Sequence, residues 1–427
     1  MTWSSLADEA GRILEGNWSG GYTTPASGLY PHQWSWDSAF IAIGLRWLSA
    51  SRARTELDSL FASQWADGRV PQIVYDPARE DDYQPGAAFW DSAAISGAPE
   101  RPTTGLVQPP NHAVAAWLVH TADIEGSRQA RFLERLYPKL VAWHQYLTMT
   151  RVSPGRTLAA IVHPWESGTD NSPLWDDALA TLPKVARDIP RPDLEHAGAD
   201  ERPSQKEYGT YYWLAEAYRD QGCDHREGQW RFLFEDPSFN ALWSASEHAL
   251  ARIATEIGRD PVPHHERARA VTSALDSLYD ESLGVFVAWD AVRHAPVRKA
   301  TVSGLIPLLL PGLTQADQLI RTLRGPTFLG DHALLVPSYD ATAPDHDPTQ
   351  YWRGPSWFNM TWMVIQGLRT HDQDALADSL TQHFCALALE HDFPEYVDPW
   401  TGAPHGARRF SWTAALALDL ARTSPAG

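Results

Sequence analysis

The chain has 427 residues, which is enough for one large domain or for two to three average ones, so core size does not limit its stability. It carries 35 Lys and Arg against 53 Asp and Glu, and the net charge of −18 disfavours nucleic acids and anionic membranes as partners. Two cysteines, Cys223 and Cys385, exclude a disulfide framework and a Cys-based metal site. The N-terminal stretch shows no signal-peptide pattern, so we expect a soluble cytoplasmic protein.

Aromatic residues are the unusual part of the composition, with 20 Trp, 14 Tyr and 13 Phe. This number of tryptophans indicates flat apolar faces lining a large pocket, a surface on which sugar rings stack. Some tryptophans fall at helical positions instead, and there we expect core packing between helices. These are Trp47, Trp117, Trp143, Trp213 and Trp243.

Helical periodicity dominates the chain. The predicted helices, in chain order, cover 3–15, 37–50, 54–65, 111–122, 129–149, 206–220, 240–257, 261–279, 301–310, 314–323, 355–369, 372–389 and 408–421. Asp37 is a candidate N-cap of the second helix, and Pro355 is typical of the first turn of a later one. The best strand signal is 284–289, which predicts one arm of a short hairpin.

Most of these helices form tightly connected pairs, which read as αα-hairpins. Long loops rich in Pro, Gly and Trp separate the pairs, and they cover 16–36, 66–110, 150–205, 280–300, 324–354 and 390–407. If each pair runs up and back, all these loops emerge at one end. We therefore predict an all-α (α/α)6 toroid, a single domain over 1–427, with helix 3–15 as the last outer helix. An irregular bundle is the alternative, whereas the lack of a fixed repeat disfavours a superhelical array.

Candidate chemistry lies in six loop stretches that mix aromatic side chains with carboxylates or amides: 30–37, 83–90, 107–110, 163–173, 351–357 and 394–402. Aromatic faces bind the apolar face of a sugar, and two of the carboxylates could act on a glycosidic bond. The candidates are Asp37, Glu166, Asp170, Glu395 and Asp398.

Asp170 follows a Gly-Thr step between two tryptophans, where partial burial would raise its pKa and keep it protonated as a general acid. Glu395 lies far away in sequence and could face Asp170 across the pocket as the base, which is the inverting arrangement. We expect Asp37, at a helix N-terminus, to stay ionised and bind sugar hydroxyls. Residue chemistry alone does not assign these roles.

The motifs QWSWD (33–37), WESGTDNSP (165–173), YWRGPSW (351–357), and EYVDPWTG (395–402) followed by FSWTAAL (410–416) resemble glycoside hydrolase family 63. They occur in family order and span nearly the whole chain. The family lies within the trehalase- and glucoamylase-like (α/α)6 group. The short length resembles the small bacterial and plant members that hydrolyse mannosylglycerate and glucosylglycerate.

This resemblance implies an inverting glycoside hydrolase that needs no cofactor, with Asp170 as general acid, Glu395 as general base and Asp37 holding the sugar in the −1 subsite. Arg202 and Tyr208 resemble the Arg and Tyr that bind glycerate in those enzymes. A carboxylate on the aglycone needs such a cation in an acidic protein. Further expected substrate-binding residues are Tyr30, Trp34, Trp36, Tyr83, Gln84, Gln108, Trp165, Glu166, Gly168, Asn171, Tyr351, Trp352, Arg353, Gly354, Trp357 and Trp412.

Other functions stay open at this point. A trehalase-like or oligosaccharide α-glucosidase, for example on a kojibiose-type linkage, would use the same Asp170 and Glu395. A sugar epimerase would use paired histidines, and a carbohydrate-binding module would have no catalysis. We expect no metal, since His112 and the pair His264–His265 lack ligand spacing and are predicted to be solvated. The expected partner is a small carbohydrate, and a homo-oligomer is possible.

Overall fold

The fold is known from a computed structural model that describes residues 3–185, 189–195, 198–226 and 230–424. Its longer helices are α1 (Trp3–Gly16), α2 (Ser35–Leu45), α3 (Ala50–Ala62), α4 (His112–Ala122), α5 (Phe132–Tyr146), α6 (Gln205–Asp220), α7 (Pro237–Glu256), α8 (Val262–Leu275), α9 (Ala316–Arg324), α10 (Phe358–Thr370), α11 (Asp374–Glu390) and α12 (Ser411–Thr423). A 3-10 helix, Val302–Leu309, stands between α8 and α9. Shorter helices occupy the loops.

Six helices form a closed inner ring. In order around the ring they are α2, α4, α7, the 3-10 helix, α10 and α12; each packs on the next, and α12 packs on α2. Outside them, α3, α5, α8, α9 and α11 each return along the inner helix that precedes them, and α1 packs on α12. This arrangement confirms the predicted (α/α)6 toroid, with α1 as the sixth outer helix.

The burial of each helix follows from its place in the rings. Every residue of α2 is buried, because an inner helix has neighbours on all sides. The outer helix α9 instead buries one stripe, Ala316, Leu319, Ile320 and Leu323, at the spacing of an amphipathic helix. The main apolar core therefore lies between the two rings.

Some predicted boundaries were wrong. Helix α2 begins at Ser35, so Asp37 lies in its first turn and is not the N-cap; Trp34 holds that position without a capping side chain. Gln108 replaces the missing cap, since its side-chain oxygen accepts from the backbone N–H of Trp36 at 3.2 Å. Helix α10 begins at Phe358 instead of Pro355, because the two residues before it pair as a strand.

Short strands tie the loops together. They are β1 (Gln33–Trp34), β2 (Ile73–Val74), β3 (Phe234–Glu235), β4 (Tyr279–Asp280), β5 (Val285–Phe286), β6 (Ala288–Asp290), β7 (Ala295–Val297), β8 (Ser356–Trp357), β9 (Tyr396–Val397) and β10 (Pro404–His405). The predicted strand 284–289 is divided into β5, which forms the expected hairpin with β4, and β6, which pairs with β3 and β7.

Two further expectations were wrong. Trp47 is 37 % exposed, whereas Trp143 and Trp243 are fully buried as expected. His112 and His264 are buried instead of solvated: His112 bonds to Ser35 at 3.0 Å, and His264 pairs with Glu247 at 2.7 Å. His264 and His265 lie inside α8, within the predicted helix 261–279. Within the described ranges, we find neither a helix with the length and apolarity to cross a bilayer nor a cluster of three metal-ligating side chains.

Candidate active site

A cleft of about 840 Å³ opens at the end of the toroid where the inner helices begin. Trp36 and Asp37 come from the first turn of α2, Trp412 from the start of α12, and Trp357 directly precedes α10. The predicted site residues that line this cleft are Tyr30, Trp34, Trp36, Asp37, Tyr83, Gln84, Gln108, Trp165, Gly168, Asp170, Arg202, Tyr208, Tyr351, Trp352, Trp357, Glu395 and Trp412.

Asp170 stands on a loop that its neighbours hold in place. The Trp175 indole donates to the carbonyl of Thr169 at 3.0 Å, and the Tyr211 hydroxyl donates to the carbonyl of Asp170 at 3.2 Å. Burial raises the pKa of Asp170 to about 7; Arg202 opposes this shift and the negative charge of Glu395 adds to it. A carboxyl group with this pKa still carries its proton near neutrality, as a general acid must.

Glu395 is held by three donors at the start of β9. Its Oε1 accepts from the Tyr30 hydroxyl at 2.9 Å, and its Oε2 accepts from Arg202 Nη2 at 2.9 Å and from the backbone N–H of Ala407 at 3.0 Å. The side chain is 2 % exposed. Three donors, one of them cationic, hold the carboxyl group of Glu395 in one orientation in the cleft.

Arg202 reaches into the cleft from the end of the long loop before α6. Its side chain is 2 % exposed, and Nη1 donates to the Tyr30 hydroxyl at 2.8 Å while the guanidinium lies over the Tyr351 ring at 4.5 Å. Arg202 is therefore a buried partner of Glu395, and its Nε–H group has no acceptor among the described residues. The pair is not a surface salt bridge.

Asp37 lies on the cleft wall and is 3 % exposed. Burial raises its pKa well above the ordinary value, a hydrogen bond from its own backbone N–H opposes this shift, and the charges of Glu395 and Glu56 add to it. The expectation that the helix N-terminus keeps Asp37 ionised is thus opposed by burial in the ligand-free protein.

Aromatic rings form most of the cleft wall. Trp352 and Trp357 stack with ring centroids 3.8 Å apart, and Tyr396 stacks on Trp357 at 4.5 Å. Elsewhere in the wall, Trp34 and Tyr83 meet edge to face at 5.0 Å. Gly168 makes the close packing possible, because a Cβ atom there would lie 2.5 Å from the Trp36 ring. The wall fits the apolar faces of a pyranose ring.

Four residues predicted to bind substrate do not line the cleft, and each has another partner. Glu166 forms a fully buried ion pair with Arg151, with both N···O distances at 2.6 Å, and also accepts from the backbone N–H of Val107 and Val162. Its carboxylate thus joins the loop before Asp170 to the segment before α4. Glu166, expected to bind sugar, instead braces the loop that carries Asp170 in this structure.

The other three residues lie outside the cleft lining. Asn171 accepts from the backbone N–H of Trp352 at 2.8 Å, so it joins the Asp170 loop to the stacked tryptophans. Arg353 pairs with Asp176 at 2.8 Å, outside the cleft, and the backbone N–H of Gly354 donates to Ser338. The motifs contain both residues that line the cleft and residues that brace the loops. Membership of a motif therefore predicted substrate binding for residues of both kinds.

Sequence reasoning also missed residues that line the cleft: Pro25, Gln72, Pro190, Pro192 and Phe410. A signal existed for some of them. Phe410 begins the FSWTAAL motif, and the two later prolines belong to a long loop expected at this end. Nothing in the local pattern marked Gln72, which reaches the cleft only because β2 pairs with β1.

An (α/α)6 toroid with two carboxyl groups, Asp170 and Glu395, in an aromatic cleft at one end is typical of the class of glycoside hydrolases. Comparison with known proteins gives the family. Residues 30–413 match the family described as "Mannosylglycerate hydrolase MGH1-like glycoside hydrolase domain". The chain belongs to this family and is a glycoside hydrolase.

Similar proteins cover nearly the whole chain. A mannosylglycerate hydrolase from Rubrobacter radiotolerans is 38 % identical over 97 % of this chain and 96 % of its own. A glucosylglycerate hydrolase from Mycolicibacterium hassiacum is 35 % identical over 98 % of both chains. The crystal structure of a family 63 mannosylglycerate hydrolase from Thermus thermophilus, in complex with Tris, superimposes with a TM-score of 0.90 at 37 % identity, covering 97 % of this chain and 99 % of the other.

Proposed function

We propose that this chain is an inverting α-glycosidase that hydrolyses an α-glycoside of glycerate, mannosylglycerate or glucosylglycerate. The observation that carries the proposal is a buried arginine, Arg202, inside the cleft that also holds Asp170 and Glu395. Relatives bearing both substrate names support the same class of aglycone.

In the proposed reaction, Asp170 gives its proton to the glycosidic oxygen as the bond to the anomeric carbon breaks. Glu395 takes a proton from a water molecule, whose oxygen attacks the same carbon from the opposite face. The products are the β-anomer of the sugar and free glycerate, and the two carboxyl groups have exchanged protonation states. Proton return through solvent restores the enzyme.

The aglycone is proposed to lie beside Arg202. A glycerate carboxylate can accept from a guanidinium, and Arg202 supplies the local positive charge that an anionic substrate needs in a protein of net charge −18. A neutral disaccharide can offer hydroxyl groups to the guanidinium but no opposite charge. The position of Arg202 in the cleft therefore favours the charged glycoside over the trehalase-like alternative.

The test is hydrolysis of mannosylglycerate, glucosylglycerate, trehalose and kojibiose, with proton NMR of the first-formed sugar. We expect release from a glycerate glycoside with the β-anomer appearing first. Asp170→Asn and Glu395→Gln should each lower kcat by about 10²- to 10⁴-fold. Asp398→Asn is the matched control, because Asp398 only accepts from two backbone N–H groups of its own turn. No release from either glycerate glycoside contradicts the substrate class, and an α-anomer contradicts inversion.

We further propose that the enzyme works in the cytoplasm, either alone or as a homo-oligomer. Both cysteines, Cys223 and Cys385, are free and buried, which suits a reducing compartment.

A further inference from the structure

A second cavity lies at the end of the toroid opposite the catalytic cleft. Its volume is about 400 Å³, which is large enough for a small-molecule ligand. All six inner helices or their ends contribute to it, and most of the contributing residues come from the later parts of those helices. They are Phe40, Ile43, Arg46, Asn111, Val114, Trp117, Leu118, Leu242, Ala245, His248, Ala249, Arg252, Leu309, Pro311, Trp362, Gln366, Thr370, Asp419 and Thr423.

Aromatic rings separate this cavity from the catalytic cleft. Trp36 and Trp412 line the cleft, while Phe40 and Trp362 line the second cavity. Phe40 meets Trp36 at 5.6 Å, Trp362 at 6.1 Å and Trp412 at 6.4 Å between ring centroids. The two cavities are therefore distinct, and a ligand in one does not occupy the other.

Three buried polar atoms on residues that line the cavity have no hydrogen-bond partner among the described residues: Arg46 Nη1, Asn111 Oδ1 and Gln366 Nε2. The Arg46 side chain is 7 % exposed, and Asn111 is 3 % exposed. A buried donor or acceptor without a protein partner is destabilising unless a ligand or water satisfies it. Two donors and one acceptor are groups that a carboxylate with hydroxyl groups along its chain can satisfy.

The charges around the cavity also favour an anion. Arg46 and Arg252 line it, against the single carboxylate of Asp419. That carboxylate is already satisfied, since it accepts from Arg46 at 2.7 Å, from the Trp47 indole at 2.9 Å and from the Trp362 indole at 3.0 Å. The C-terminal ends of the inner helices carry partial negative charge and oppose an anion, so the attraction depends on Arg252 and on the unpartnered Nη1 of Arg46.

We infer that this cavity is a second binding site, for a small hydroxylated carboxylate such as a sugar acid. Arg46 and Gln366 donate to the carboxylate, Asn111 accepts from a hydroxyl group, and Trp117 and Trp362 cover the apolar face of the ligand. Arg252 is exposed at the mouth of the second cavity, where its positive charge attracts the anion. The site is independent of the proposed catalytic function.

The experiment uses the full chain labelled with 13C at the isoleucine δ1 methyl groups and titrated with gluconate up to about 50 mM, where even a weak site fills. Ile43 lines the second cavity and reports on it. Ile189 precedes Pro190, which lines the catalytic cleft, and reports on that cleft. We expect a saturable shift at Ile43 and a smaller effect with the neutral polyol sorbitol.

Two variants and a control make the test specific. Ala245→Phe fills the cavity without removing a hydrogen bond and should abolish the saturable shift at Ile43. Arg252→Gln should raise the Kd about threefold, and the charge-matched Arg321→Gln, on the outer helix α9, should leave it unchanged. Absence of a saturable Ile43 shift, an equal response to sorbitol, or a shift that survives Ala245→Phe would each overturn the site; in the first case the cavity holds water only.

Discussion

The ion pair between Arg202 and Glu395 joins two charged residues of the cleft. The family resemblance named both residues, but for different tasks: Arg202 for binding the aglycone and Glu395 for the attack of water. The pairing arises because a loop more than 190 residues away in sequence brings the guanidinium to 2.9 Å from the carboxylate. Neither hydrophobic periodicity nor motif spacing predicts a contact between residues so far apart in sequence, so only the structure reveals this pair.

The protonation state of Asp170 sets the alkaline limit of the proposed reaction. Since its pKa is about 7, the proton that it must donate is lost above neutrality. We expect kcat/KM to fall about tenfold per pH unit above pH 7. The measurement is the pH–rate profile on the glycerate glycoside, and Asp398→Asn should reproduce the parent profile. A rate that is flat to pH 9 would show that Asp170 is not the acid.

Removal of the Arg202 charge should separate charged substrates from neutral ones. Arg202→Gln takes away a charge-assisted hydrogen bond, and such bonds contribute about 1.5–3 kcal/mol, so kcat/KM on the glycerate glycoside should fall about 10- to 150-fold. If Arg202 also contacts the aglycone, KM rises, whereas a role confined to Glu395 lowers kcat alone.

The control for this variant is Arg128→Gln, which breaks an exposed pair with Glu256 on the outer surface. Its kcat and KM should match those of the parent protein. Equal losses for Arg202→Gln on charged and neutral glycosides would contradict the assignment of a charged aglycone.

The pairing of helices was predictable, but several of their starting points were not. Short links between apolar runs predicted the hairpins, and the six long loops predicted a common end. The start of α2 was misjudged because Asp37 resembles a cap, although the capping function comes from Gln108, a residue of another loop. A cap supplied by a side chain that is distant in sequence cannot be predicted from the residues next to the start of the helix.

Close approach of α2 and α12 closes the inner ring at Gly44. A Cβ atom at Gly44 would lie 2.3 Å from Ala415 Cα, so Gly44→Ala should destabilise the protein by about 1–3 kcal/mol through overpacking. Gly11→Ala is the matched control within α1, because its Cβ would meet only the Leu48 side chain at 3.7 Å. There the better helix propensity of alanine should stabilise by about 0.5–1 kcal/mol.

Thermal unfolding of both variants tests this prediction, with a lower Tm for Gly44→Ala and an equal or higher Tm for Gly11→Ala. An unchanged Tm for Gly44→Ala would mean that α2 and α12 do not approach each other closely at this position.

Buried titratable groups make the stability of the whole protein depend on pH. Burial raises the pKa of Glu56 to about 7 and that of Asp236 to about 6, so these folded carboxyls bind protons more tightly than unfolded ones. Their contribution is complete below the unfolded pKa, near 4, and is lost as the pH rises through 6–7. Burial lowers the pKa of His112 and His163 to about 3, and this contribution is lost as the pH falls below 6.5.

The two contributions oppose each other between pH 4 and pH 7, so the prediction concerns the difference between a variant and the parent protein. The Tm of Glu56→Gln should improve relative to the parent as the pH rises from 5 to 8, because glutamine does not titrate, whereas the exposed Glu125→Gln should differ from the parent by the same amount at every pH. A Tm difference between Glu56→Gln and the parent that stays constant from pH 5 to pH 8 would contradict the account.

The contact between α1 and α12 has a consequence for biosynthesis. Asn17, directly after α1, donates to Ser411 at 2.8 Å, so the first outer helix is docked by residues that leave the ribosome about 400 residues later. At a synthesis rate of 5–20 residues per second, roughly 20–80 seconds pass between the synthesis of α1 and that of its partner α12. During that interval the nascent chain exposes an unpaired amphipathic helix, which makes it a natural client for chaperones that hold unfinished proteins at the tunnel exit.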